Sequence, residues 1–147
     1  MTLRDKALQY YGLLEMPGDQ HNPTILNFFR EIGHEGIRND ETAWCSAFMN
    51  YCAKELGLPY SGELDARSWL KVGSVYVPPS DGISWADNVI AVHWRGEKGG
   101  WQGHVSVPIR ISGRNIWVLG GNQGNAVKIS PYPLNSAKSG ILGYRQL

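Results

Sequence analysis

The chain has 147 residues, of which 42% are hydrophobic and 18% charged, and its formal net charge at pH 7 is +1. That length suits a single domain over residues 1–147 with a sizeable buried core. The balanced charge argues against nucleic-acid binding, and no apolar run approaches the ~20 residues that a membrane-spanning helix needs. The 18 glycines and 8 prolines favour a loop-rich α+β domain over a helical bundle.

The first half of the chain has the hydrophobic periodicity of helices. Apolar residues at helical spacing predict helices over 3–15 and 24–32. The run 42–57 predicts the clearest helix, because its apolar face is continuous and Gly57 supplies a C-terminal stop. A short helix is expected near 64–70.

After Gly73 the apolar residues alternate with a period of two, which is typical of strands. The segment Ser112–Asn115 has the composition of a hairpin turn between two of these strands. Helices followed by an antiparallel sheet make α+β the predicted fold class. The predicted strands, of which the last is expected at the edge of the sheet, are 88–94, 104–111, 116–119, 126–129 and 143–146.

Two cysteines, Cys45 and Cys52, lie seven positions apart. On one helix their Cα atoms would be about 10 Å apart at 1.5 Å per residue, beyond the ~7 Å limit for a disulfide. Cys45 lies in the first turn of the predicted helix, where free N–H groups and the helix dipole stabilise a thiolate. Cys52 lies two turns further on and is expected to fill the core. Cys45 is therefore the candidate nucleophile.

A thiolate nucleophile needs a histidine base and a polar group that orients the imidazole. Of the four histidines, His104 opens a predicted strand, while His93 alternates with apolar residues and is expected to be structural. Hairpin register supplies the third group. A three-residue loop places Asn122 opposite His104, whereas a two-residue loop places Gln123 there. We favour Asn122 and leave Gln123 open.

Competing uses of cysteine and histidine have weak support. No Cys-x-x-Cys or His-x-x-x-His spacing is present, so the sequence predicts no metal site. No glycine-rich phosphate loop precedes a helix, and no cofactor is expected.

Six tryptophans exceed common usage, and binding grooves for sugars or peptides use exposed aromatic faces. Trp101, in the glycine-rich segment 97–102, is the strongest candidate for binding substrate, and Trp44 and Trp69 are further candidates. Asp40 either caps the helix that follows or meets an amine of the substrate. A cationic group of the substrate is the expected partner of the acids nearest in sequence, which are Asp40, Glu41, Glu63 and Asp65.

Seven segments spread over nearly the whole chain form a specific pattern: 15–18, 22–26, 40–48, 66–70, 103–105, 119–127 and 143–145. Together they resemble the small NlpC/CHAP-type cysteine peptidases of bacteria and their phages. The resemblance implies a papain-like fold in which N-terminal helices pack on an antiparallel sheet. It also implies Cys45 as nucleophile, His104 as base and Asn122 as the orienting residue.

Three places depart from that family's pattern. The usual Pro-Gly-Asp before the central strand reads Trp85-Ala86-Asp87 here. Some CHAP-type relatives carry a glutamate two residues before the asparagine, where this chain has Gly120, so the orienting role falls to Asn122 alone. Pro108 follows the Gly103–Val105 motif and predicts an edge or a bulge in that strand.

The resemblance implies a thiol hydrolase that cleaves an amide bond of the peptidoglycan stem peptide, as an endopeptidase or an N-acetylmuramoyl-L-alanine amidase. The alternatives are a hydrolase or deamidase toxin with a protein target, and a catalytically silent wall-binding module. The N-terminus has no signal-peptide apolar core, so we expect cytoplasmic synthesis and action in the periplasm or at the cell wall after export or lysis. A phage endolysin with a holin and a secreted effector with an immunity protein both fit.

Overall fold

A computed structural model describes residues 1–16, 20–37 and 43–147. Within these ranges the helices are α1 (Leu3–Leu8), α2 (Pro23–Glu31), α3 (Cys45–Glu55) and a 3₁₀ helix (Ala66–Lys71). The strands are β1 (Ser74–Val75), β2 (Val89–Arg95), β3 (Gly103–Ser112), β4 (Asn115–Gln123), β5 (Ala126–Pro133) and β6 (Ser139–Gln146). The predicted α+β class is confirmed. No helix in the described ranges is long and apolar enough to cross a bilayer.

The first helix is shorter than its periodicity predicts. It begins at a capping box, in which Asp5 N donates to Thr2 Oγ1 at 3.2 Å and Thr2 N donates to the Asp5 carboxylate at 2.9 Å. It ends at Leu8, and beyond it the Gly12 N–H donates to the Val127 carbonyl at 2.8 Å. Bonds to the sheet thus replace the helical bonds that the apolar pattern predicts.

The strands form one antiparallel sheet in the order β1-β6-β2-β3-β4-β5. The predicted edge position of the last strand is wrong, since β6 lies between β1 and β2. The outer neighbour, β1, is only two exposed residues long and has no recognisable pattern. Because β1 gives no signal in the sequence, the periodicity could not indicate which strand forms the edge of the sheet.

A bulge bends the β3–β4 hairpin near its middle. Ile111 pairs with Ile116, but Val107 pairs with Leu119, so the register shifts by one residue between Pro108 and Arg110. Proline has no N–H to donate to the ladder and is compatible with a bulge, which increases local bending. The predicted irregularity at Pro108 is confirmed.

The sheet curls strongly beyond this bulge. Tyr132 pairs with Ile116, which is level with Ile111, and seven residues of straight strand would separate it from His104 by roughly 20 Å. Instead the Tyr132 ring stacks on the His104 ring with the centroids 5.2 Å apart. The end of β5 therefore folds back over the sheet, where it also contacts β6.

The curled sheet has two unlike faces. One face packs against the helices in a hydrophobic cluster that includes Ile90, Val92, Val105, Val107 and Leu119 from the strands, and Phe28, Trp44 and Phe48 from the helices. The other face is enclosed by the curl. It buries polar side chains, namely His93, His104, Ser106 and Gln123.

The contact between β4 and the start of α3 depends on a glycine. A Cβ at Gly121 would lie 2.7 Å from Trp44 Cζ3 and 3.0 Å from Phe48 Cβ. Gly121→Ala is therefore expected to lower the free energy of unfolding by about 1–3 kcal/mol, measured by urea denaturation. Gly99→Ala is the control, because a Cβ there meets nothing within 4 Å. Equal losses in the two variants would contradict this packing.

Candidate active site

Cys45 is the first residue of α3, and its side chain is 7% exposed at the floor of a cleft. The preceding residue, Trp44, makes no side-chain cap, so the first N–H groups of the helix stay available. Burial raises the pKa of the Cys45 thiol, whereas the backbone N–H groups of Val105 and Ser46 lower it. The helix start and the β3 strand thus hold the thiol together.

Cys45 and His104 line the same cleft, and each shifts the pKa of the other. Burial by itself raises the pKa of the Cys45 thiol, but the positive charge and hydrogen bond of His104 and the two N–H groups lower it below its ordinary value. Burial likewise lowers the pKa of His104, yet the charge and hydrogen bond of Cys45, with the bond to Gln123, raise it above its ordinary value. Both shifts favour a thiolate–imidazolium pair.

The orientation of the imidazole follows from the hydrogen bonds of Gln123. Its Nε2 donates to the carbonyls of Val118 at 3.1 Å and Lys128 at 2.8 Å. Since a carbonyl can only accept, the amide oxygen must face the other way, and it accepts from His104 Nε2 at 2.9 Å. His104 therefore carries a proton on Nε2 and presents Nδ1 to the thiol.

Strand register alone does not lead to Gln123. The hairpin has a two-residue loop, since Ser112 pairs with Asn115, and that register places Gln123 opposite the base. The bulge at Pro108 then shifts the register by one residue, so that simple pairing beyond the bulge would place Asn122, and not Gln123, opposite His104. A second irregularity decides between the two.

That irregularity is the left-handed backbone of Asn122, which has a φ of 57°. It interrupts the alternation of β4 and turns Gln123 onto the face of His104. Gly120 leaves the necessary room, because a Cβ there would lie 2.5 Å from Gln123 Oε1. Gln123, and not the favoured Asn122, is thus the side chain that hydrogen-bonds to His104, while Asn122 lines the cleft. The absence of a side chain at Gly120 therefore has a physical reason, which is the space that the Gln123 amide occupies.

A second layer of polar groups supports the pair, and it was not among the candidate site residues. His93 pairs with His104 across β2 and β3, and a 2.9 Å hydrogen bond joins its Nε2 to Ser106 Oγ. Burial, and then the charge of His104, hold the pKa of His93 well below its ordinary value, so this second imidazole is neutral. Tyr132 packs on both rings. The only sequence signal for this layer was that His93 and His104 lie on two strands that follow one another in the chain.

The cleft above Cys45 has a volume of about 260 Å³. Its walls come from the last residues of β2, the first residues of β3, the final parts of β4 and β5, and the start of β6. The lining residues are Ala43, Cys45, His93, Trp94, Arg95, Gly103, His104, Asn122, Tyr132, Lys138 and Ser139.

Two predicted substrate-binding residues belong to the core instead. Trp44 and Trp69 are fully buried, and their indole N–H groups donate to Glu15 Oε1 at 2.7 Å and Ser46 Oγ at 2.9 Å. Ser46 Oγ in turn donates to the Glu63 carbonyl at 2.6 Å. These side chains anchor the start of α3 and offer no surface to a substrate, so their predicted role is wrong.

Trp101 is 74% exposed, and its loop is held in place from below. The Arg67 guanidinium donates to the carbonyls of Glu97, Lys98 and Gln102 at 2.8–2.9 Å. Trp101 lines a groove beside the cleft rather than the cleft itself. Its role in substrate binding stays a prediction.

The structure describes two of the four acids proposed to meet a cationic substrate group, Glu63 and Asp65. Asp40 and Glu41 lie outside the described residues. Glu63 and Asp65 do not line the cleft, and the Asp65 side chain caps the 3₁₀ helix by accepting from Arg67 N at 3.0 Å. The described residues that line the cleft therefore include no carboxylate to pair with an amine.

No known protein family, curated protein or solved structure matches the chain. Among the described residues, no group of three or more His, Cys, Asp or Glu side chains is placed to hold a metal ion. The chemistry of the site therefore has to be derived from its geometry. A thiolate beside an imidazolium can attack an acyl carbon and protonate a leaving group.

The two cysteines differ in reactivity because their environments differ. Cys52 is completely buried, and burial raises its pKa to about 12. The pKa of Cys45, in contrast, is below its ordinary value. Near neutral pH, iodoacetamide is expected to label Cys45 and leave Cys52 unmodified, as peptide mass spectrometry would show. Cys45→Ala should take up no label. Labelling of Cys52 would contradict its burial, and a Cys45 rate that follows an ordinary thiol's pH dependence would refute the ion pair.

The role of Gln123 is testable through the charge on His104. Gln123→Glu places a carboxylate against Nε2 and is expected to raise the pKa of His104, so that the ring keeps its proton to higher pH. NMR titration of the imidazole measures this. Asn122→Asp is the matched control, since it adds the same charge at the neighbouring position without touching Nε2. Equal shifts in the two variants would refute the assignment.

Proposed function

We propose that this protein is a papain-like cysteine hydrolase that cleaves an amide bond in the stem peptide of peptidoglycan. The observation that carries the proposal is the chain of contacts from the Cys45 thiol to His104 and on to Gln123. A nucleophile at a helix start facing a base on an antiparallel sheet is the expected arrangement of a papain-like site. The choice of peptidoglycan rests on the resemblance of seven sequence segments to NlpC/CHAP-type peptidases.

In the first half of the reaction, the Cys45 thiolate attacks the carbonyl carbon of the amide. A carbon–sulfur bond forms and the carbonyl oxygen takes the negative charge. The backbone N–H of Cys45, which has no acceptor within α3, is a suitable donor to that oxygen. The His104 imidazolium then gives its Nδ1 proton to the amine as the carbon–nitrogen bond breaks, which leaves a thioester.

The second half of the reaction uses water. Neutral His104 takes a proton from a water molecule at Nδ1, and the resulting hydroxide attacks the thioester carbon. The carbon–sulfur bond breaks, the carboxylic acid leaves, and the thiolate–imidazolium pair is restored. Gln123 keeps the Nε2 proton in place throughout, so Nδ1 is the nitrogen that exchanges protons in both halves.

The residues around the thiol favour acyl chemistry over glycosidic chemistry. Glycoside hydrolysis typically uses a pair of carboxylates that flank the scissile bond. No aspartate or glutamate is among the described residues that line the cleft. A substrate amide, rather than a sugar–sugar bond, is the group that this site can cleave.

Digestion of purified sacculi tests the proposal. The protein is expected to release new amino termini or free stem peptides, and no new reducing sugar ends. Cys45→Ala should lose at least about 10³-fold of the rate, because no other thiol is among the described residues that line the cleft. Cys52→Ala should keep the activity and lose about 1–2 kcal/mol of stability.

Mass spectrometry of the products then identifies the bond. Truncated stems indicate an endopeptidase, and intact stems that begin with alanine indicate an amidase. New reducing ends without new amines would overturn the cysteine-hydrolase proposal. No release by a protein whose Cys45 is readily alkylated would direct the same chemistry to a protein target instead.

A further inference from the structure

Two cations lie side by side at the rim of the Cys45 cleft. Arg95 is the last residue of β2 and pairs with Ser139, the first residue of β6. Lys138 directly precedes Ser139, and its carbonyl accepts from the Gly96 N–H at 2.8 Å. The β2–β6 ladder therefore fixes both residues at the same end of the sheet, and both side chains are exposed there.

The charge at this rim is one-sided. Arg95 and Lys138 both line the cleft, together with Cys45 and His104, and the described lining contains no carboxylate. Glu97 lies with Arg95 along the neighbouring groove and does not line the cleft. Low-dielectric walls and charges of one sign concentrate the field in a cleft and attract ligands of opposite charge.

The positive charge reaches the reacting groups. Burial and then Cys45 have the largest effects on the pKa of His104, which is raised overall, and the Arg95 guanidinium opposes that rise. Burial raises the pKa of Tyr132, and Arg95 opposes this rise as well, so its charge acts on two residues of the cleft. A guanidinium and an ammonium on one rim also suit a carboxylate, since arginine binds it through two parallel hydrogen bonds and lysine adds a point charge.

We propose that Arg95 and Lys138 form a carboxylate-binding subsite, and that the substrate carries a free carboxylate next to the amide that is cleaved. The chemistry at Cys45 rests on the proposed function. In a stem peptide, the subsite would select the free acid over the corresponding carboxamide at the position beside the scissile bond.

Alkylation of Cys45 by two reagents of equal size tests the subsite without a substrate. Iodoacetate carries a carboxylate where iodoacetamide carries a carboxamide, and His104 is the same for both. We expect the ratio of the iodoacetate rate constant to the iodoacetamide rate constant to fall about three- to tenfold in Arg95→Gln/Lys138→Met. The rates are measured at about 0.1 M ionic strength, where charges beyond about 10 Å are screened.

The matched control removes the same charges elsewhere. Arg110 and Lys71 are exposed and do not line the cleft, so Arg110→Gln/Lys71→Met is expected to leave the ratio unchanged. An equal ratio in wild type and Arg95→Gln/Lys138→Met overturns the subsite while Cys45 stays a nucleophile. Failure of Cys45 to react with either reagent overturns the proposed function and the subsite together.

A pair of soluble stem peptides, identical except that one carboxylate is amidated, extends the test to catalysis. Wild type is expected to cleave the free acid with at least about tenfold higher kcat/KM than the amidated peptide, and Arg95→Gln/Lys138→Met to lose that preference. Equal kcat/KM of wild type on every such pair overturns the subsite and leaves the hydrolase intact. Cleavage of neither peptide overturns the proposed substrate, and the alkylation ratio then decides the subsite.

Discussion

The hydrogen bond from His104 Nε2 to Gln123 Oε1 is the interaction on which the rest of the site depends. It fixes which imidazole nitrogen carries the proton and so which one faces Cys45. The bond exists only because two backbone carbonyls hold the Gln123 amide nitrogen, Asn122 adopts a left-handed backbone, and Gly120 has no side chain. Local features of β4, with one carbonyl of β5, therefore determine how the imidazole faces a sulfur on a helix.

The curl of the sheet supplies the environment in which that bond works. Folding β5 back over the inner face covers His104 with Tyr132, and the adjacent His93 stays neutral beside Ser106. A charge in a buried site is costly unless it is paired, and here the thiolate and the imidazolium compensate each other. Outside this pair, the described cleft carries positive charge only, which makes the nature of the substrate's charged groups part of its recognition.

Much of the candidate site could be predicted from particular residues. The periodicity of 42–57 was sufficient to place Cys45 at the start of a helix, and the period-two pattern that begins at His104 was sufficient to place that residue at the start of a strand. The role of Trp44 and Trp69 could not be predicted, because an aromatic count contains no information on burial. The central position of β6 was equally hidden, since strand pairing depends on how distant segments meet.

The local pattern by itself determined the α+β class, the helix that presents Cys45, the strand that presents His104 and the irregularity at Pro108. These are properties of residues close in sequence, where periodicity, missing N–H groups and helix ends act directly. Only the tertiary structure decided between Asn122 and Gln123, brought Tyr132 over His104, and set Arg95 beside Lys138. Each of these depends on register shifts and sheet curvature that accumulate over many residues. A shift of the pairing by one residue anywhere along β3 or β4 therefore alters which side chains meet.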